Sequence, residues 1–491
     1  MKKDDIVTIR IEDYTHEGLG IGRADQMAVF VKDTVIGDLI QAKLIKLKKT
    51  YAYGRLMDII EPSPQRVDAL CPQARPCGGC QLQMMAYSSQ LAWKKEKVKN
   101  CLEKIGGFSE TEITAVLLPI KGMDHPWHYR NKAQFPIGTD KEGRPMAGFY
   151  AGRTHSIIGQ ADCLLGADAN RDILDILLSH MGRTGIKSYD EKTGTGLIRH
   201  CLIRCSAETL RGGIGEIMIC LVTNGRKIPE KEELIERMRA VPGVVSIVQN
   251  INTSRSNVIL GTETKLLWGK SFIEDSIGDI RYHISARSFY QVNPVQTRFM
   301  YDTVRSFADL SGYETVWDLY CGTGTIALYL AGSAGHVYGV EIIPEAIEDA
   351  RENAGRNRIA NATFFCGKAE EVLPAFYREH GTGADVMIVD PPRKGCDAHL
   401  LTAMSAMKPR RIVYVSCDPA TLARDLKVLC AAGYAIQKIQ PIDMFPQTIH
   451  VETVCLLSNT QRPKKESYIT LDVEKEDYYR IKDSEKEQGK K

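Results

Sequence analysis

Charge of one sign is what this 491-residue sequence most lacks: 64 Lys+Arg stand against 61 Asp+Glu, a formal net charge of +3. So small an excess neither demands nor excludes a nucleic-acid partner. An apolar run behind Met1-Lys2-Lys3-Asp4-Asp5 is also missing, so no secretory signal is expected there. Long apolar stretches are few. Leu319 to Val340 carries no Asp, Glu, Lys or Arg, but five glycines with Thr323, Thr325, Ser333 and His336 interrupt it. That suits a loop, a helix and a strand better than a membrane span. A soluble cytoplasmic protein with no membrane partner is expected. With 43% hydrophobic and 25% charged residues, neither a disordered nor a fibrous chain fits. The length suggests about three domains.

Cysteine is plentiful, 14 in all, and without a secretory signal it points to thiols rather than disulfides. Cys101, Cys201, Cys205, Cys220, Cys366, Cys430 and Cys455 sit in apolar or mixed stretches and read as small hydrophobes. Cys71-x5-Cys77-Gly78-Gly79-Cys80 differs, placing three thiolates on a tight Pro/Gly loop. A third cysteine beside Cys-x2-Cys favours a metal centre over a redox pair. Spacing leaves zinc and iron–sulfur open, and the fourth ligand comes from afar, with Cys163 and Cys101 as candidates.

Residues 1–62 read as an OB-like β-barrel. Asp5–Ile11 alternates at period two, Ala28–Val31 follows a Gly-rich turn, and Leu39–Leu47 and Tyr53–Ile60 complete the set before Pro62 and Pro64. Lys43, Lys46, Lys48 and Lys49 with Tyr51 and Tyr53 suit either a nucleic-acid face or a charged strand edge. Residues 68–285 read as a central α+β domain. Within 71–160 there are 12 Lys+Arg against 7 Asp+Glu, and Lys94, Lys95, Lys97 and Lys99 lie on an expected helix as a candidate RNA grip. Residues 286–460 read as a Rossmann-like α/β domain with a doubly wound sheet, and 461–491 as a charged extension.

Four strand ends in that last domain, and one later strand, carry chemistry. Val316–Thr325 is a strand bearing Asp318, then a turn with Gly322 and Gly324, then a helix. The next strand ends in Glu341, about 20 residues past the first glycine, where a carboxylate binds a ribose diol. NAD proteins share this plan. With Asp318 four residues before Gly322, the order Asp-x-x-x-Gly-x-Gly and then Glu resembles class I S-adenosylmethionine-dependent methyltransferases instead. Asp385–Val389 runs into Asp390-Pro391-Pro392-Arg393-Lys394-Gly395, and the missing aromatic after the prolines disfavours amine methylation. Arg411–Ser416 ends in Cys417, placed for nucleophilic work beside the cofactor cleft. Glu452 follows on a late strand.

These motifs resemble the bacterial RNA uracil-C5 methyltransferases, most closely their 23S ribosomal RNA branch. The resemblance runs from residue 1 to about 458 through Ser288-Phe289-Tyr290-Gln291-Val292-Asn293, the cofactor loop, Asp-Pro-Pro-Arg-Lys-Gly, Ser416-Cys417-Asp418-Pro419 and His450-Val451-Glu452. It implies a TRAM barrel at the N-terminus and a class I S-adenosylmethionine-dependent fold at the C-terminus. It further implies that Gln291, Tyr320, Glu341 and Asp390 contact the cofactor, while Phe289 lies near a target base taken out of its stack. Cys417 is implied to add to uracil C6 and Glu452 to remove the C5 proton, giving 5-methyluridine. For the cysteine cluster it favours Cys71, Cys77, Cys80 and Cys163 around a [4Fe–4S] cluster. The expected partner is 23S ribosomal RNA and the expected state a monomer. Transfer RNA is the alternative target. RNA cytosine-C5 methylation, in which Cys396 would act, is the alternative reaction; Cys396 is expected to be structural.

Overall fold

Alternating apolar strands at the N-terminus and near-continuous apolar strands after residue 315 dictate two different kinds of sheet. The computed structural model describes residues 1–152, 154–381 and 383–461. The expected extension 461–491 therefore lies, apart from Gln461, outside the described residues.

The N-terminal sheet runs Ile6–Arg10, Leu39–Leu47, Tyr51–Glu61, Met27–Val31, Gly20–Ala24, Asp13–Tyr14. Its inward residues, among them Ile9, Val29, Val31, Ile40 and Leu44, form a small closed core. One expectation fails here: the Gly18–Gly22 stretch is not simply a turn, because Gly20–Ala24 is a strand paired with Met27–Val31. A Cβ on Gly20 would meet Thr34 Oγ1, and one on Gly22 would lie 2.7 Å from the Arg10 carbonyl oxygen. The glycines mark close approach of chain inside a tightly curved wall.

The central sheet runs Glu263–Gly269, Val244–Ile251, Ile217–Thr223, Ile198–Cys205, Lys132–Thr139, Pro145–Tyr150, Ile157–Gly159. Helices Ala169–Thr184 and Lys231–Arg239 bury their apolar stripes on one face. Leu202, Met218, Cys220 and Val222 on the other face share a core with Tyr282, Tyr290, Met300 and Val304.

The C-terminal sheet runs Ala362–Cys366, His336–Glu341, Thr315–Leu319, Val386–Val389, Arg411–Ser416, Glu452–Asn459, Tyr434–Ile442. The first five are parallel and Glu452–Asn459 is antiparallel to both its neighbours. Chain order reverses between Thr315–Leu319 and Val386–Val389, which opens a crevice beyond their carboxyl ends. Because Glu452–Asn459 runs the other way, its first residue falls at that same edge. The topology alone thus gathers the ends of four strands and the start of a fifth.

Helix Tyr87–Cys101 packs on this sheet's far edge and on the segment between Ile442 and Glu452. Three of the four lysines in its run are not the open cationic face expected from sequence. Lys94 is wholly buried with its Nζ 2.5 Å from Asp443 Oδ1; Lys97 donates to the Ile449 carbonyl oxygen at 2.9 Å; and Lys99 pairs with Glu110 at 2.6 Å. A lysine run reads as a solvated face unless distant acceptors cover it, and those of Lys94 and Lys97 lie some 350 residues on. Among the described residues, no helix is long and apolar enough to cross a membrane.

Candidate active site

Beyond the carboxyl edge of the C-terminal sheet lies a cleft of about 1080 Å³. It brings together Phe289, Gln291, Asp318, Tyr320, Gly322, Glu341, Asp390, Cys417 and Glu452. Gly324 stands just behind, at the start of helix Thr325–Ala331.

One end of the cleft is the glycine turn. Tyr320, Gly322 and Gly324 have φ of 68°, 54° and 77°, a chain of left-handed residues that turns backbone amides outward. At Gly324 a Cβ would also stand 3.0 Å from the Phe364 ring. Glu341 is held at the tip of its strand: Oε1 accepts the Ile342 and Ile343 amides at 2.8 and 3.0 Å, and Oε2 the Gly322 amide at 3.3 Å. That fixes the carboxylate while leaving lone pairs for a diol. Asp318 is fully buried, and its carboxylate oxygens make no well-formed hydrogen bond, the Ala327 amide being their one weak donor. Burial first, then the charge of Asp390, hold its pKa well above the usual carboxylate range, against which the Ala327 amide pulls down. An under-satisfied carboxyl beneath a glycine turn fits a cationic or N–H-bearing ligand.

The other end is the thiol and its neighbours. Ser416 pairs with Thr453 across the antiparallel ladder, so the next residue, Cys417, stands beside Glu452. Cys417 sits on a strand-to-helix turn: Asp418 caps helix Pro419–Ala431 by accepting the Ala420 amide at 2.8 Å, and the Asp418 amide donates to Ser416 Oγ at 3.2 Å. Burial, with the charges of Glu452 and Asp390, pushes the thiol up to about 12, against which Arg393 pulls down. Glu452 is buried and pushed up to about 8, by desolvation and then by Asp390; Asp390 is raised to about 7 by burial. A thiol and a poised carboxyl share one wall, which is the equipment for covalent addition and proton removal.

Cys396 behaves differently. It is buried outside the cleft, where its amide donates to Asp425 Oδ2 at 2.8 Å and the Tyr414 hydroxyl donates to the same oxygen at 2.6 Å. Phe289 is 70% exposed, a large aromatic in water lining the same cleft as the thiol. Two lining residues escaped sequence reasoning. Phe445 stands T-shaped to His450 with centroids 6.0 Å apart, and burial lowers the His450 pKa to about 4, leaving a neutral imidazole. The signal for His450 was its place two residues before Glu452, on the same side of an extended chain.

The four cluster candidates lie on two loops and are all half-buried. They are neighbours: the charge of Cys77 bears on Cys71, Cys80 and Cys163, and that of Cys163 on Cys80. Cys101 is not among them, facing Lys97 and Asp418 instead. Among the described residues, no group of three or more His, Cys, Asp or Glu side chains is arranged to hold a metal ion.

The strand order and the cleft at its reversal define a class I methyltransferase fold. The family model described as tRNA (Uracil-5-)-methyltransferase matches residues 249–460, and that for the TRAM domain matches residues 4–57. An uncharacterized RNA methyltransferase of Halalkalibacterium halodurans is 50% identical over 459 residues, covering 93% of this chain and 98% of the relative. One of Listeria monocytogenes is 46% identical, with the same two coverages. The crystal structure of Pyrococcus abyssi tRNA (uracil-54, C5)-methyltransferase in complex with S-adenosyl-L-homocysteine matches with TM-score 0.74 and 28% identity. It covers 92% of this chain and 100% of that one. The protein belongs to the tRNA (uracil-5-)-methyltransferase family of RNA methyltransferases.

Proposed function

We propose that this protein methylates C5 of a uridine in 23S ribosomal RNA, acting as a monomer with S-adenosylmethionine as donor. The observation that carries the chemistry is the juxtaposition of Cys417 and Glu452 across one ladder, facing the same cleft as the Glu341 turn. S-adenosylmethionine, when bound, supplies an electrophilic methyl group on a sulfonium. Glu341 suits its ribose diol, and Tyr320, Gln291, Asp390 and the Asp318–Gly324 turn line its place. Phe289 is positioned to stack on an extruded uracil.

Cys417 as thiolate forms a bond to uracil C6, and the C5–C6 π electrons move toward O4 as an enolate. The C5 carbon would then take the methyl group as its bond to the sulfonium sulfur breaks, leaving a neutral thioether. Glu452 as carboxylate accepts the C5 proton, the C5–C6 double bond re-forms, and the C6–S bond breaks to return the thiolate. The burial of Cys396 supports uracil over a cytosine reaction that would need it. A transfer RNA target is the second reading, favoured by the likeness to the Pyrococcus abyssi enzyme over nearly the whole chain. For Cys71, Cys77, Cys80 and Cys163 four thiols on two neighbouring loops supply the donor type of a [4Fe–4S] cluster, while their side chains are not gathered around one point among the described residues. The cluster's role would be to brace those loops.

Mapping 5-methyluridine in ribosomal and transfer RNA of a deletion strain tests the target: loss from 23S RNA alone is expected, and loss from transfer RNA alone selects the second reading. For the chemistry, Cys417→Ala forms neither product nor adduct. Glu452→Gln accumulates methylated RNA bonded to Cys417, seen as a labelled band in denaturing electrophoresis. An adduct in Cys417→Ala would overturn the assignment.

A further inference from the structure

The segment from Asp443 to Val451 has no strand or helix assigned, yet Asp443, Met444, Gln447, Thr448, Ile449 and Val451 are buried. A buried loop must find partners for its backbone and polar groups elsewhere. Some come from Asn293, Gln296, Tyr129 and the backbone at Gln81, Leu82 and Lys121, but all those that reach the side chains of Asp443 and Gln447 come from helix Tyr87–Cys101, far back in the chain. Lys94 Nζ reaches Asp443 Oδ1 at 2.5 Å and the Phe445 carbonyl oxygen at 3.1 Å. The Tyr87 hydroxyl donates to Asp443 Oδ2 at 2.9 Å. Gln90 and Gln447 form a reciprocal bracket: Gln90 Nε2 donates to Gln447 Oε1 at 2.9 Å, and the Gln447 amide donates to Gln90 Oε1 at 3.2 Å. Gln447 itself is left-handed, with φ 69°, a conformation that persists only where surroundings impose it.

The loop so held delivers Phe445 and His450 to the cleft and ends at Glu452. Burying a lysine is costly, and a buried pair is a poor means of gaining stability; what it provides is one geometry. We propose that Lys94, with Asp443 as its counter-charge, is a positioning residue for the base Glu452, rather than an RNA contact. This rests on the uridine-methyltransferase function proposed above. Lys94 acts through the loop: it sets where Glu452 meets the C5 proton, while the thiol on the neighbouring strand and the glycine turn keep their own supports.

The test uses the full-length protein with uridine-containing target RNA, below the melting temperature of each variant. In Lys94→Met, kcat is expected to fall on the order of 10- to 100-fold, the loss that small misplacement brings. KM for RNA and affinity for S-adenosylmethionine stay within about twofold by the same reasoning, because the groups that bind them are untouched. The RNA adduct on Cys417 should build up as it does in Glu452→Gln, which a merely structural lysine would not cause. Lys94→Met/Asp443→Leu removes both charges and keeps the protein folded where the single variant is not; its kcat should remain low. A folded variant turning over at the wild-type rate overturns the proposal, as does a raised KM with unchanged kcat, or a lowered kcat without adduct. Absence of 5-methyluridine with the wild-type protein would instead strike the underlying function.

Discussion

At the scale of single residues, the cleft concentrates acids where water is scarce, and the pKa of Glu452 near 8 has two consequences with opposite uses. As the proposed base, Glu452 would work only when ionised, so turnover should climb with pH through about 8 in a pH–rate profile, and a flat profile would count against that role. Stability moves the other way. The carboxyl titrates at 4.5 when unfolded and about 8 when folded, so the folded state holds its proton more tightly between those values. Stability is therefore lost as pH rises across that window. Glu452→Gln should match the wild type near pH 4.5 and exceed it at pH 8, by up to about 4 kcal/mol in denaturant titrations. Equal stabilities at both pH values would show that the carboxyl is not desolvated. That Cys417 lines the cleft was legible in the sequence, because strand ends in a doubly wound sheet converge by topology; Glu452, on a late antiparallel strand, was marked only by the family resemblance. Lys94 was misjudged since its partner Asp443 lies 349 residues away, and nothing local distinguishes a buried lysine from a solvated one.

At the scale of elements, the cationic surface moves from the central helix to the barrel. Lys43 is paired with Asp4 at 3.0 Å, whereas Lys46, Lys48 and Lys49 stand exposed around the Lys48–Tyr51 turn. Beside them Phe30, Tyr51 and Tyr53 pack with centroids 5.2–5.8 Å apart. Neutralising those three lysines should weaken RNA binding and reduce the slope of log K against log salt by about 2. An unchanged slope would return them to a charged sheet edge. The cysteine loops make their own prediction: protein purified without oxygen should be brown with about four irons per chain, and Cys80→Ala should lose both. Colourless protein with stoichiometric zinc would replace the cluster while leaving the methyl transfer intact. Element boundaries were legible where period two or a long apolar run reached turn residues, as for Leu39–Leu47. The Gly20–Ala24 strand was not, because its glycines answer to curvature rather than to a turn.

At the scale of the whole molecule, the methyltransferase sheet is not self-sufficient. Leu117 and Lys121 bridge to Ile439 and Ile442 on its edge strand, and Ile449 packs with Tyr14, Val35, Leu82 and Met85. A fragment starting at residue 286 should therefore be molten or insoluble, and co-expression with residues 1–285 should rescue it, as read by near-ultraviolet circular dichroism. A sharp melt by the fragment alone would disprove this. The Lys94–Asp443 pair also bears on synthesis. The ribosome makes the lysine 349 residues before its carboxylate, so during that interval the helix cannot close over its own side chain. Only when the Asp443–Glu452 stretch emerges can the pair form, and the loop that ends at Glu452 takes its place with it. A chain abandoned before Asp443 should therefore carry an unpaired lysine on an unseated helix and be cut by proteases faster than the finished protein.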